Sequence, residues 1–329
     1  MFPFIIDLHC DLLSYLQEVP DVDPRKKGGI GCSFPALIEG NVKMQIMAIY
    51  TSTQKDSSEL GLRQSLIFKE ILTKYNDLLY FICDSETLNT VSESKTIGAI
   101  AAIENASGFC EENDSLKDGF RKLEKIISNT GGILYIGLTH HTENRFGGGN
   151  TSKAGLKEDG KALLEYVNGK KIAIDFSHTS DALAFEMMNY ISKYNLDLPV
   201  IASHSNFRSV FNHPRNLPDD IAKEIIKRNG VIGINFVRAF VNNENPNAIY
   251  DHIDYGITLG GADALCFGAD FFYTDSHPDQ SRRPFFHKEH ENAGCYPSIQ
   301  KNLSERISPE LIEKISNLNV IKFIKRIWK

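Results

Sequence analysis

Eight short apolar runs rich in β-branched residues, at 4–8, 43–50, 96–103, 133–138, 172–176, 200–202, 231–236 and 264–268, recur along the chain. Between them lie segments with apolar residues at helical spacing, including 59–75, 116–128, 155–167, 181–194, 219–227 and 248–259. A run that is apolar without alternation reads as a strand covered on both faces, the condition of a parallel sheet. Strand and helix alternate eight times, so the pattern predicts an α/β fold, a TIM-type (β/α)8 barrel, with a last helix over 309–328. An open doubly wound sheet fits less well, because no glycine-rich phosphate turn follows the first run at Ile6. No repeat, low-complexity tract or linker divides the chain, so one barrel domain is expected over 1–329. Two stretches, near 25–31 and 271–297, stand out as insertions on the rim of the barrel, where long loops shape pockets and subunit contacts.

Five of the runs end in side chains that bind metals or protons: FIIDLHCD, AIAAIE, IAIDFSH, VIASHS and ALCFGAD. That places His9, Asp11, Glu104, His178, His204 and Asp270 at strand C-termini, the end where barrel enzymes carry their chemistry. In His9-Cys10-Asp11 the alternation of a strand turns His9 and Asp11 one way and Cys10 the other. A neutral imidazole and a carboxylate on one face suit a borderline divalent ion such as zinc. An H-x-D triplet alone carries little weight, and a single His closing an apolar run is usually a hydrogen-bonded core residue. Three such histidines, with a Glu and an Asp on two further runs, call for a shared cation. His9, Asp11, Glu104, His178 and His204 make five ligands, more than one catalytic zinc uses while keeping a position open for water. Two zinc ions per chain use all five: His9 and Asp11 on one, His178 and His204 on the other, Glu104 bridging. Spacing alone leaves Glu104 equally suited to a salt-bridged rim carboxylate.

The chain carries 36 Lys plus Arg against 42 Asp plus Glu, a formal charge of −6, which leaves no basic field and excludes nucleic acid as a partner. Its six cysteines form no C-x-x-C pair and several lie inside apolar runs, as thiols do in a reducing compartment. The opening MFPFIIDLHCD lacks a basic segment and is interrupted by Asp7 and His9, so no signal peptide is expected and the location reads as cytoplasmic. No stretch has the length of a membrane span. Near the end, Leu311, Ile315, Leu318, Ile321 and Ile324 form a stripe that reads as core-facing in preference to membrane-surface. His277, His287 and His290 match no ligand spacing and read as solvated loop histidines.

The segments FIIDLHCDL, AIENASGF, LTHHTENRFGG, IDFSHTS, SHSNFRSVFNHPRNLPDD, GVIGINFV and DHIDYGITLGGADALCFGADFF together resemble the renal (membrane) dipeptidase family of zinc dipeptidases, which have a metallo-dependent, amidohydrolase-like architecture. The likeness runs from Ile5 to about Phe272 and is most specific between His204 and Asp220. It implies the same ligand set, with Glu104 as the bridge, and a dipeptide as substrate. It further implies that Asp270 orients the nucleophile and carries its proton to the leaving amine. By the same likeness His140 contacts the scissile carbonyl and its developing oxyanion, with His141 facing the opposite way if the strand persists. Arg215 is similar to the arginine that grips the dipeptide's terminal carboxylate. Without the resemblance Arg215 would read as a helix-start salt bridge to Asp219 or Asp220.

Departures surround the pocket: Asn105-Ala106 after the Glu, Arg145-Phe146 where Pro-Trp is usual, and FFYTD after Asp270. They bear on side-chain preference and spare the ligands. Dimers are common among relatives, which keeps a homodimer open. The alternatives are another metal-dependent amidohydrolase acting on a lactone, cyclic amide or acyl-amino acid, a glycosidase pairing Glu104 with Asp270, and a non-catalytic metal-binding barrel.

Overall fold

The computed structural model describes residues 2–329. Its strands are β1 (Ile5–Cys10), β2 (Val42–Ile49), β3 (Leu79–Phe81), β4 (Ile97–Ile103), β5 (Ile133–Gly137), β6 (Ala173–Asp175), β7 (Val200–Ile201), β8 (Ile232–Ile234) and β9 (Leu265–Phe267). All pair in parallel, in the order β7-β6-β5-β4-β2-β1-β9-β8. Ala202 completes the ring by bridging to Ile232: its N–H donates to Val231 O at 2.9 Å, and Gly233 N–H donates back to Ala202 O at 2.8 Å. The result is the (β/α)8 barrel. β3 lies outside the ring, paired with the first residues of β4.

Period-two alternation sorts the core into two layers. In β2 and β4 the even-numbered Met44, Ile46, Ile100 and Ala102 fill the barrel interior, while the odd-numbered Met47, Ile49, Ala99 and Ala101 pack outward against the helices. Glycine takes over where strands crowd: a Cβ on Gly233 or Gly268 would stand 2.0 Å from Ser203 O, so only glycine lets β8 and β9 approach the segment that carries His204.

Six of the predicted helices form, as Ser57–Lys74, Leu116–Thr130, Glu158–Val167, Asp181–Lys193, Asp219–Lys227 and Ala248–Thr258. Short helices at Leu12–Glu18, Phe34–Glu39 and Tyr296–Leu303 add to them. The last helix holds a difference. A π turn at Lys314–Leu318 interrupts it between Pro309–Glu313 and Asn319–Ile327. The extra residue rotates everything after it, so the buried face is Ile312, Ile315, Val320, Phe323, Ile324 and Ile327, while Leu318 is 41% exposed. This face seals the N-terminal end of the barrel, where Asn317 Nδ2 donates to Phe4 O at 2.8 Å and Asn319 Nδ2 to Leu265 O at 2.8 Å. No helix among the described residues is long and apolar enough to cross a membrane.

Both insertions sit at the opposite rim and touch there, Ala293 N–H donating to Gly31 O at 2.9 Å.

Candidate metal centre

The site is assembled at the C-terminal ends of the strands. β1 carries a bulge: Asp7 pairs with Gln45 but Cys10 pairs with Met47, three steps against two. The extra residue lets His9 join Leu8 in facing the interior while Cys10 packs outward. Asp11 follows directly, Glu104 is the residue after β4, and His204 lies just beyond β7. His178 and Asp270 sit in left-handed turns, with φ of +65° and +64°. Left-handed backbone costs a side-chain-bearing residue energy and is retained where the surroundings over-determine it, as at functional sites.

Hydrogen bonds fix the tautomer of each ligand-type histidine. Tyr135 donates its hydroxyl to Leu8 O at 3.0 Å, so at 2.7 Å from His9 it accepts from Nδ1–H. Ser203 donates its hydroxyl to an Asp175 carboxylate oxygen, so it accepts from Nδ1–H of His204 at 2.6 Å. Asn150 Oδ1 can only accept, and takes Nδ1–H of His178 at 3.3 Å. Every Nε2 therefore presents a lone pair to the centre. Two of them, on His178 and His204, face each other at 3.0 Å with no proton left to share. His9 Nε2, Asp11 Oδ1 and Glu104 Oε2 are buried without a hydrogen-bond partner. Acceptors converging on acceptors are what a cation would answer, and imidazole nitrogens with carboxylate oxygens are a fitting donor set.

Glu104 divides its two oxygens between two groups. Oε2 lies 3.7 Å from His9 Nε2, and Oε1 lies 3.0 Å from His178 Nε2 and 3.4 Å from His204 Nε2. His9 Nε2 is also 3.8 Å from Asp11 Oδ1 and 3.8 Å from Asp270 Oδ1. Burial holds His9, His178 and His204 neutral, His9 down to about 3, and neutral imidazole is the form that ligates. Burial, then the charges of Asp11 and Asp270, lifts Glu104 well above the ordinary carboxylate range. Asp11 is lifted too, and Asp270 is pushed up to about 7 by burial, with Arg215 and Asn235 opposing. Three desolvated carboxylates in one pocket ask for positive charge, which metal ions supply.

Asp270 keeps one oxygen occupied, Asn235 Nδ2 donating to Oδ2 at 2.8 Å, so Oδ1 is the oxygen turned to the centre. His140 stands at the wall with Nε2 3.6 Å from Glu104 Oε1. His141 does not face away: β5 ends at Gly137, alternation lapses, and the His141 ring lies 4.0 Å from that of His140. Arg215 is 3% exposed and lies behind His204, donating from Nη1 to Ser205 Oγ at 2.7 Å and from Nη2 to His204 O at 2.8 Å. It makes no ion pair with any described carboxylate; Asp219 is taken by Ser209 and Tyr255 instead. Its buried Nε has no partner.

Above the centre opens a cleft of about 240 Å³, walled by Tyr50, Phe240, Phe272, His277, Arg282 and Phe285 among others. That is below the roughly 300–1,000 Å³ of pockets for drug-sized ligands, so the substrate is small. The 271–297 insertion thus forms one wall. Two of its histidines are not solvated: His287 is buried with Nε2 2.7 Å from Asn242 O, and His290 is buried against Phe236. Both partners, Asn242 and Phe236, lie outside the insertion, which spacing along the sequence does not reveal.

A parallel barrel with acceptor-only imidazoles and carboxylates gathered at its C-terminal rim defines a metal-dependent hydrolase. The pattern of the membrane dipeptidase family (peptidase family M19) matches residues 3–329, and the chain belongs to that family. Among its relatives is the protein of the pqqA 5′ region of Klebsiella pneumoniae, 28% identical over 235 residues, covering 67% of this chain and 82% of that protein. Dipeptidase verJ of Clonostachys rogersoniana is 28% identical over 224 residues, covering 66% of this chain but only 54% of that protein's length. In fold the chain is similar to a metallo peptidase from Rhodobacter sphaeroides, with a TM-score of 0.85, 18% identity and all of both chains covered.

Proposed function

We propose that this dipeptidase-family chain hydrolyses the peptide bond of dipeptides with two zinc ions, one held by His9 and Asp11, one by His178 and His204, with Glu104 shared. The observation that carries the reading is the arrangement around Glu104: one oxygen toward His9, the other toward two imidazole lone pairs that oppose each other at 3.0 Å. Bound there, such ions would polarise the scissile carbonyl and acidify a water. Asp270 receives the proton of that water on Oδ1 and hands it to the leaving amine, Asn235 holding the other oxygen in place. His140, neutral through burial, turns an N–H to the carbonyl oxygen as charge develops there. Arg215 keeps a partnerless Nε and lies over Phe240 of the cleft wall, which supports it as the holder of the substrate's terminal carboxylate.

The small cleft supports a two-residue substrate, and the Rhodobacter sphaeroides relative was crystallised with a phosphinate mimic of the dipeptide L-Ala-D-Ala. Six unpaired cysteines, four of them buried, support a reducing, cytoplasmic setting. The test is hydrolysis of L-Ala-L-Ala and L-Ala-D-Ala by protein of determined metal content. Activity that vanishes on chelation and returns with about two zinc ions per chain is expected. Two bound ions without peptide cleavage would redirect the search to lactones and acyl-amides, and absence of bound metal would sink the reading.

A further inference from the structure

The charged groups that line the cleft are Asp11, Glu18, Glu104, Asp270 and Arg282. Three of these carboxylates belong to the metal centre, so Glu18 and Arg282 remain as an unassigned anion and cation facing one small space. The Arg282 guanidinium makes no hydrogen bond or ion pair with a described residue, although its backbone is held firmly. Its carbonyl accepts from Arg238 Nη2 at 3.1 Å, Arg238 Nε holds Pro284 O at 2.6 Å, and Arg238 N–H holds Phe285 O at 2.8 Å. Just before it, Asp279 Oδ1 accepts from Ser281 N–H at 3.1 Å and Gln280 Nε2 donates to His277 O at 2.7 Å. A pinned backbone with a part-buried guanidinium that no described residue engages offers the cleft a cation on a fixed base. Its neighbour Arg283 differs, being spent on Asp275 at the surface.

We propose that Arg282 reads an acidic side chain on the C-terminal residue of the substrate, making this a dipeptidase for X-Asp and X-Glu dipeptides. The inference rests on the dipeptidase reading above and deepens it. A dipeptide brings two main-chain charges, an ammonium and a terminal carboxylate. Glu18 suits the first and Arg215 the second, so Arg282 is in surplus unless the substrate brings another anion. Geometry puts that anion in the C-terminal residue. The Arg215 guanidinium lies over the Phe240 ring at 5.6 Å, Phe240 lines the cleft with Arg282, and the short helix Arg238–Val241 that carries Phe240 also holds the Arg282 backbone, so the two arginines share one side, whereas Glu18 comes from the helix Leu12–Glu18.

The experiment compares kcat/KM for L-Ala-L-Asp with its neutral isostere L-Ala-L-Asn, using the zinc-loaded full chain, with L-Ala-D-Asp, L-Asp-L-Ala and L-Ala-L-Ala alongside. Preference for Asp over Asn of about tenfold or more is expected, as for a charge-assisted hydrogen bond in a part-buried site. In R282Q that ratio should fall to within about twofold, chiefly through KM, and in R282K part of it should survive because the charge does. R282E should shift preference toward L-Ala-L-Lys. A wild-type ratio near one overturns the proposal, as does a ratio unchanged in R282Q. Equal KM rises for Asp and Asn in R282Q also overturn it, by moving Arg282 to the terminal carboxylate. Failure of the dipeptidase reading is told apart by the whole panel: no cleavage of any of these dipeptides by the two-metal protein removes that reading and this one together.

Discussion

His252 and His204 are both wholly buried, yet they belong to different kinds of place. His252, on the helix Ala248–Thr258, accepts from Phe207 N–H at Nδ1, 3.2 Å away, and donates from Nε2–H to Val241 O at 3.0 Å. Both nitrogens are committed to backbone. His204 commits only Nδ1, to Ser203, and aims Nε2 at another lone pair. Burial depresses the pKa of each, so neither burial nor titration separates them. What separates a ligand from a structural histidine is the nitrogen that nothing in the protein answers.

The comparison predicts where damage will fall. The largest effect belongs to Glu104, on which the unanswered nitrogens converge: Glu104→Gln keeps its shape, and should shed both ions and lower kcat/KM by roughly 10⁴-fold. An E104Q protein that still carries two metals by elemental analysis would break the contrast with His252. Asp270→Asn should instead keep both ions and lower kcat by about 10²–10⁴-fold, the range for a general acid–base group. Unchanged turnover removes Asp270 from proton transfer.

His252 sharpens the other side. Its folded pKa is lowered to about 4, against an unfolded value near 6.5. Between those values the unfolded chain binds the extra proton, so stability is full above pH 6.5 and falls as pH drops toward 4. The loss attributable to His252 is about 3 kcal/mol. Denaturant midpoints for wild type and His252→Gln at pH 7, 5 and 4 should therefore converge as the solution is acidified; parallel pH profiles would show that its two backbone bonds do not hold it neutral. The smallest effects belong to the residues that fix the ligand tautomers. Tyr135→Phe and Ser203→Ala should each weaken one ion by about 10–100-fold in chelator competition. If both loosen the same ion, the two-sided reading of Glu104 is wrong.

Much of this site is legible in the chain, and the boundary has a physical cause. Strand periodicity and a ligand-type residue at each strand end are local signals, so the barrel and the residues His9, Asp11, Glu104, His178, His204 and Asp270 stand out together. Tyr135 lies 126 residues from His9, and Ser203 acts through Asp175, 28 residues away. Such partners are chosen by the closed barrel and leave no spacing to read. His141 was expected to face away only if the strand persisted; β5 stops at Gly137, and alternation holds only while a strand lasts. The tail stripe slipped for a similar reason, since one π turn rotates every later side chain. His287 and His290 are buried through Asn242 and Phe236, which lie far earlier in the chain and leave no spacing to read.

The helix that seals the barrel has a consequence for biosynthesis. Every residue of the centre, through Asp270, is synthesised before the 309–327 segment, yet Phe4, just before β1, and β9 are braced from below by Asn317 and Asn319 of that segment. The centre is thus translated before the floor that braces it, and firm metal binding is expected only once that floor is complete. Ribosome-stalled chains ending before residue 309 are expected to retain no metal after gel filtration, although they display the whole ligand set.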